Sequence, residues 1–145
     1  MTIVKFYNPT YVPDCKLTYS VIAARFKDKW LFVRHKDRTT WEIAGGHIEE
    51  NESPFDAASR ELTEETGAIN FHLNCFATYS VEKEGSIGFG RLFFADVHSM
   101  ENVPDISEIA EVAMMDELPP ELTYPDIQPF LFKKIIESIK KKKRP

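Results

Sequence analysis

The stretch SPFDAASRELTEETG, residues 53–67, carries the signals that decide how this chain folds. Ser53 has a side chain suited to accept a hydrogen bond from the free amides of a helix start. Pro54 follows at the first helical position, where a missing N–H is no loss. Asp56 stands where a capping-box acid belongs, and Gly67 ends the run as a C-terminal glycine should. Between them Phe55, Ala58 and Leu62 recur at i, i+3 and i+7, which predicts an amphipathic helix with one stripe turned to a core.

The acids on that helix are oddly placed. At 100° per residue, Glu61, Glu64 and Glu65 fall within about 100° of arc. They border the apolar stripe instead of opposing it, and the small Ala57 lies in the same arc. Like charges at i, i+4 cost a helix ~0.2–0.5 kcal/mol. No Lys or Arg at 57, 58, 68 or 69 relieves the Glu61–Glu65 pair, and acids in the last turn oppose the helix dipole. A hard divalent cation would offset both penalties, since Mg²⁺ and Mn²⁺ select clustered oxygen ligands. Taken alone, three glutamates on a helix still fit a solvated face better than a metal site.

Before the helix, LTYSVIAARF (17–26) reads as a strand, KDK (27–29) as a turn and WLFVRH (30–35) as the hairpin partner. KDRTT is a loop, then WEIA (41–44) a short strand ended by Gly45-Gly46, a pair suited to a sharp turn or to close approach by a ligand. After the helix, INFHLNCFATYSVEK (69–83) and FGRLFFADVHS (89–99) read as strands around the loop EGSIG. Residues 100–109 form a surface loop, VAMM (112–115) a short strand and DELPPEL a proline turn. From Asp126 onward, Ile127, Phe130, Leu131, Ile135, Ile136 and Ile139 keep helical spacing, with Pro129 in a tolerated first turn. No repeat or low-complexity linker divides the chain. Residues 1–145 therefore predict one α/β (α+β) domain, a mixed β-sheet between helices.

Bulk properties narrow the function. At 145 residues and 43% hydrophobic the chain supports one real core. No apolar run approaches the ~18 residues of a membrane span, and the start lacks a secretory pattern. Cys15 and Cys75 have no C-x-x-C partner, which fits a reduced, cytoplasmic protein. The net charge is −5, but KKKKR (140–144) leaves 13 basic against 23 acidic residues elsewhere. An acidic body is a poor surface for nucleic acid, and the tail reads as the basic end of the last helix. Whether the chain pairs as a homodimer is left open.

Extending the helix stretch to GHIEENESPFDAASRELTEETGA (46–68) changes the odds. Gly46, Glu52, Arg60, Glu61, Glu64, Glu65 and Gly67 stand in the spacing G-x5-E-x7-R-E-U-x-E-E-x-G-U, where U is a bulky aliphatic. This resembles the Nudix box. All seven fixed residues match, a coincidence on the order of 10⁻⁷ by chance at ~6% for each residue type. Ala68 departs from the final aliphatic, with Ile69 next to it, and Ala44 stands where many members have proline. Neither departure removes a ligand. WEIAGGHIE and EVAMMDELP also look family-like, so the resemblance spans roughly residues 17–118.

The resemblance implies a Nudix-type α/β/α sandwich that hydrolyses a phosphoanhydride in a nucleotide derivative with Mg²⁺ or Mn²⁺. Glu61, Glu64 and Glu65, with the Gly46 carbonyl, would hold the metal. Glu52 and Arg60 would form an orienting pair behind them. For general base it leaves a box glutamate, Glu111, or Glu108 three residues earlier. Arg34 and His35 could reach phosphate or base, and Trp41, ahead of Tyr19 and Phe89, could stack on a base. His47 and His72 read as structural or surface residues, since no histidine partner has ligand spacing. Overall similarity is greatest to small bacterial triphosphatases of the MutT and YtkD type, which act on (d)NTPs including oxidised guanine nucleotides. Two readings compete: a Nudix module that senses a nucleotide or nucleotide sugar without turnover, and an RNA 5′-end pyrophosphohydrolase using the basic tail.

Overall fold

Strands with β-branched and aromatic residues on both faces need cover on both sides, and the chain supplies one helix for each. The computed structural model describes residues 1–142. Its elements are β1 (Thr2–Tyr7), β2 (Leu17–Phe26), β3 (Lys29–His35), β4 (Ala44–His47), α1 (Pro54–Thr66), β5 (Ala68–Lys83), β6 (Ser86–Met100), β7 (Ile109–Met115) and α2 (Gln128–Lys142). One mixed sheet runs β1-β5-β6-β2-β3-β7, with β4 pairing β2 off that path. β2 lies parallel to β6, with Ile22 opposite Phe93, while the other pairings are antiparallel.

Alternation along the strands sorts side chains into two cores. Ile22, Ala24, Leu31, Phe93 and Ala95 pack with Ala58 and Leu62 of α1. Ala23, Phe32, Leu92 and Tyr79 pack on the other face with Leu131, Phe132 and Ile135 of α2. The Trp30 ring meets Phe132 edge-on at 4.9 Å. Leu62 has no exposed surface, which at ~25 cal/mol per Å² of apolar area contributes roughly 2–3 kcal/mol. The expected sandwich is what forms.

Helix α1 has the predicted caps. The Asp56 N–H donates to Ser53 Oγ at 3.0 Å, and Gly67 takes φ 81° with its N–H on the Thr63 carbonyl. The predicted stripe is displaced, however. Phe55 is 51% exposed, because the first turn reaches past the sheet and touches only the edge of Phe93. Ala57 is fully buried, so it brings helix and sheet together instead of clearing space among the acids. Likewise in α2 it is Phe132 that enters the core, while Phe130 stays half exposed.

Other boundaries also moved. Gly45-Gly46 lies inside β4, opposite Val21 and Ser20, and is no turn. Of the WEIA segment, Trp41 and Glu42 supply only isolated bridges, and Ala44 begins β4. The loop at EGSIG shrinks to a two-residue turn, Glu84-Gly85, with φ 53° and 83°. Strand β1 escaped the sequence reading, although TIVKFY has strand composition. Cys15 and Cys75 are both free thiols. Lys143 and Arg144 of the basic run lie outside the described residues.

Gly67 and Gly85 both need a left-handed backbone, but only one is crowded. A Cβ on Gly67 would strike the Glu101 carbonyl oxygen, while one on Gly85 meets nothing within 4 Å. Gly85→Ala should cost ~1 kcal/mol for φ > 0 alone. Gly67→Ala should cost at least ~2–3 kcal/mol, since the clash also breaks the Glu101 N–H to Gly67 carbonyl bond. Urea unfolding of the two variants checks this; equal losses would remove the close contact from the account.

Candidate active site

Arg60 gathers the acids of the box. Its Nε donates to Glu52 Oε2 at 2.8 Å and its Nη2 to Glu52 Oε1 at 3.0 Å, a two-pronged bond that ties α1 to the loop before it. Nη2 also reaches the His47 carbonyl at 3.2 Å. Nη1 sits between two other carboxylates, 2.8 Å from Glu61 Oε1 and 3.3 Å from Glu64 Oε2. The Arg60 bond and the Glu49 N–H hold the Glu52 carboxyl down at about 2, and the same bond pushes the Arg60 guanidinium further up. Glu52 and Arg60 thus stand together as an ion pair.

Glu61 and Glu65 lie deeper. A Cβ on Gly46 would come within 2.5 Å of the Glu61 carboxyl, so the glycine vacates the space that this carboxylate fills. Glu65 Oε1 accepts the Gly45 N–H at 2.8 Å, and its other oxygen lies 3.5 Å from His35 Nε2. That ring nitrogen is also 3.0 Å from Glu42 Oε1, and Arg38 Nη1 donates to Glu42 Oε2 at 3.2 Å. Burial pushes Glu65 up to about 8. The Gly45 N–H opposes this, and the charges of Glu61, Glu42 and Glu108 add to it. Burial also raises Glu61, against the pull of Arg60.

Glu42, Glu61, Glu65, His35 and Arg38 line a cavity of about 710 Å³, which Glu108 also borders. Apolar and aromatic side chains, among them Tyr19, Val21, Ile127 and Leu131, make much of the remaining wall. Glu64 stays 57% exposed beside it. Four candidates, Glu111, Arg34, Trp41 and Phe89, fall elsewhere. Glu111 pairs with Arg34 across β3 and β7 at 3.4 Å, outside the cavity lining. Trp41 borders a separate hollow with Met115, Leu118 and Pro119. Phe89 is buried against Tyr7 and Tyr11. Of the histidines, His47 lines the cavity against Tyr19, and His72 stacks edge-on with His98 at the surface. Sequence reasoning passed over Glu42, Arg38, Tyr79 and Gln128, which all line the cavity. A strand acid and a buried helix-start amide carry no periodic signal.

The donor set suits a hard divalent cation. Among the described residues no three His, Cys, Asp or Glu side chains converge into a ready-made cage. Yet a positive charge, Arg60 Nη1, already stands between Glu61 and Glu64, and the Glu64 side chain is exposed to solvent. Glu61 and Glu65 are buried near further acids, an arrangement that a cation would relieve.

The Glu52–Arg60 pair makes a pH prediction. A carboxyl held at about 2, against 4.5 ordinarily, stabilises the fold above pH 4.5 and loses that contribution as pH falls toward 2. Glu52→Gln should therefore lower the urea midpoint at pH 6, and the gap from wild type should close between about pH 4.5 and 2. A gap unchanged across that range would mean that Glu52 carries no such linkage.

Comparison with known proteins agrees with this geometry. The family model for the NUDIX domain matches residues 16–133. The putative 8-oxo-dGTP diphosphatase YtkD of Bacillus subtilis is 33% identical over 122 residues, covering 84% of this chain and 77% of that protein. In structure, the Bacillus subtilis pyrophosphohydrolase BsRppH, solved as its E68A mutant, superposes with a TM-score of 0.75 at 28% identity. That match covers 93% of this chain and 90% of that one. A NUDIX hydrolase from Nitrosomonas europaea gives a TM-score of 0.66 at 25% identity, covering 89% and 92%. The chain belongs to the NUDIX family of hydrolases.

Proposed function

We propose that this NUDIX hydrolase is a Mg²⁺- or Mn²⁺-dependent pyrophosphohydrolase of nucleoside triphosphates. The observation that carries the reading is the shared cavity. Its lining combines buried carboxylates with apolar and aromatic side chains, in a volume of the size that takes a nucleoside. The name of the YtkD relative, a putative 8-oxo-dGTP diphosphatase, supports a purine triphosphate as the substrate class.

In this reading Glu61, Glu64, Glu65 and the Gly46 carbonyl hold the cation. When bound, the ion neutralises phosphate charge and acidifies water. The remaining roles belong to the chain. Arg60 and Glu52 fix the angle of α1, and so aim Glu61 and Glu64. The Gly45 N–H holds the Glu65 carboxyl, whose other oxygen lies 3.5 Å from His35 Nε2. Glu108 faces the cavity and is better placed than Glu111 to take a proton from an attacking water.

The test is a panel of GTP, dGTP, 8-oxo-dGTP, ADP-ribose and a nucleotide sugar, with Mg²⁺ or Mn²⁺, scored for released pyrophosphate and phosphate. A 5′-triphosphorylated RNA belongs in the panel as the competing substrate. Glu64→Gln and Glu65→Gln should each lower kcat about 100-fold or more, the scale of a lost metal ligand, with the urea midpoint little changed. Arg34→Ala and Trp41→Ala should stay within about 3-fold, under ~1 kcal/mol. Wild-type turnover by either glutamine variant would remove those side chains from the site. Tight binding of the panel without turnover would point to a sensing module.

The crowding at Gly46 adds a second check. Gly46→Ala should lower kcat at least about 10-fold by displacing the Glu61 carboxylate, a loss of ~1.4 kcal/mol in transition-state stabilisation. Full activity in that variant would show that the position of Glu61 is not critical.

A further inference from the structure

Strands β5 and β6 carry two histidines that the cavity does not use. In the sequence His72 has no partner at ligand spacing, but the antiparallel register supplies one. Phe71 lies opposite Val97 and His72 opposite Asp96, so His72, Asp96 and His98 share one face of the sheet. Their neighbours Phe71, Leu73, Ala95 and Val97 turn the other way and pack in the core under α1. His72, Asp96 and His98 are all exposed. The two imidazole centroids stand 5.2 Å apart with their planes at 87°. Neither ring has a hydrogen-bond or ion-pair partner among the described residues. At ~3.3 Å per residue, Gly88 on the cavity wall lies roughly 30 Å from His98 along β6. The pair is therefore separate from the carboxylate cluster.

We infer that His72 and His98 form a second metal site, one that takes Zn²⁺. The separation of the rings decides for this ion. Zn²⁺ lies about 2.0–2.1 Å from an imidazole nitrogen and so about 3.2 Å from the ring centroid. At the tetrahedral angle two such centroids stand about 5.2 Å apart, and at a right angle only about 4.5 Å. The observed 5.2 Å is the tetrahedral value. Turning both nitrogens toward one point needs rotation about χ2, a broad torsion that exposed side chains make freely. Imidazole suits Zn²⁺, whereas Mg²⁺ and Mn²⁺ favour oxygen ligands, so the two sites select different ions. Among the described residues no third His, Cys, Asp or Glu converges with the pair, which leaves positions for water or an incoming ligand. Asp96 adds negative charge beside it. Arg25, opposite Asp96 on β2, is held over the Trp30 ring at 5.3 Å and makes no ion pair with that acid among the described residues.

The experiment is a calorimetric Zn²⁺ titration of the full chain in excess Mg²⁺, which competes for the carboxylates. Wild type should take up one equivalent of Zn²⁺ that His72→Ala and His98→Ala each lose, and the double variant should lose no more than either single one. In NMR spectra of the histidine rings, the His72 and His98 resonances should move together as that equivalent is added. A single variant that takes up as much Zn²⁺ as wild type would overturn the site. So would wild-type uptake that excess Mg²⁺ abolishes, since the ion would then sit on oxygen ligands. If a variant does not fold, the wild-type ring resonances decide alone: shifts of both support the site, and unmoved resonances refute it. None of these outcomes depends on which phosphoanhydride the enzyme cuts.

Discussion

How closely α1 can approach β4 is the constraint on which the rest of the site depends. Gly46 in the strand and two alanines on the helix set that distance, while Gly45 is crowded by the neighbouring strand β2. A Cβ at Gly45 would come within 2.7 Å of the Ser20 carbonyl, and one at Gly46 would meet the Glu61 carboxyl. Ala57 and Ala58 face the sheet with no exposed surface, and Ser20 Oγ donates to the Pro54 carbonyl at 2.7 Å to fix the helix start. Only at that separation does Glu65 reach the Gly45 N–H. Larger residues would open the contact and carry the carboxylates away from the cavity.

Bringing acids so close creates an electrostatic cost, and Arg60 offsets part of it. Its five N–H donors form a planar fork, which is why one residue can hold Glu52 in two prongs and still reach Glu61, Glu64 and the His47 carbonyl. A lysine could balance charge there but could not set angles. Arg60 does not reach Glu65, whose carboxyl burial pushes up to about 8. Buried near Glu42 and Glu108, it is the acid whose ionisation a divalent cation would favour most.

The parts of this design that were legible in the sequence are local ones. Ser53, Pro54 and Gly67 mark helix ends through bonds to their own neighbours, and the box spacing needs no tertiary knowledge. Depth was less legible. Phe55 and Phe130 satisfy helical periodicity, yet both lie exposed, because periodicity gives a direction and not the extent of the sheet beneath. Gly45-Gly46 was ambiguous for a physical reason: a turn and a close approach both call for glycine, and here the approaching group is the protein's own carboxylate. Trp41 and Arg34 looked like ligand contacts by type and position. In the fold, Trp41 joins the 121–123 segment through bonds at 2.8 and 2.9 Å, and Arg34 is spent on Glu111 and the Arg38 carbonyl.

Least legible was the way the two helices, on opposite faces, serve one cavity. Strand β4 pairs β2 and leaves the main path of the sheet, so the amides of Ile43 and Gly45, two residues apart, are free of ladder partners. Each is met by a side chain from a different helix: Gln128 of α2 on Ile43 and Glu65 of α1 on Gly45. An unpaired strand edge normally has to be covered, and here its cover is the site itself. The same two bonds that satisfy the backbone also hold the Glu65 carboxyl and the Gln128 amide at the cavity wall. The separation of these two side chains is therefore set by two residues of backbone, a length that surface substitutions do not alter.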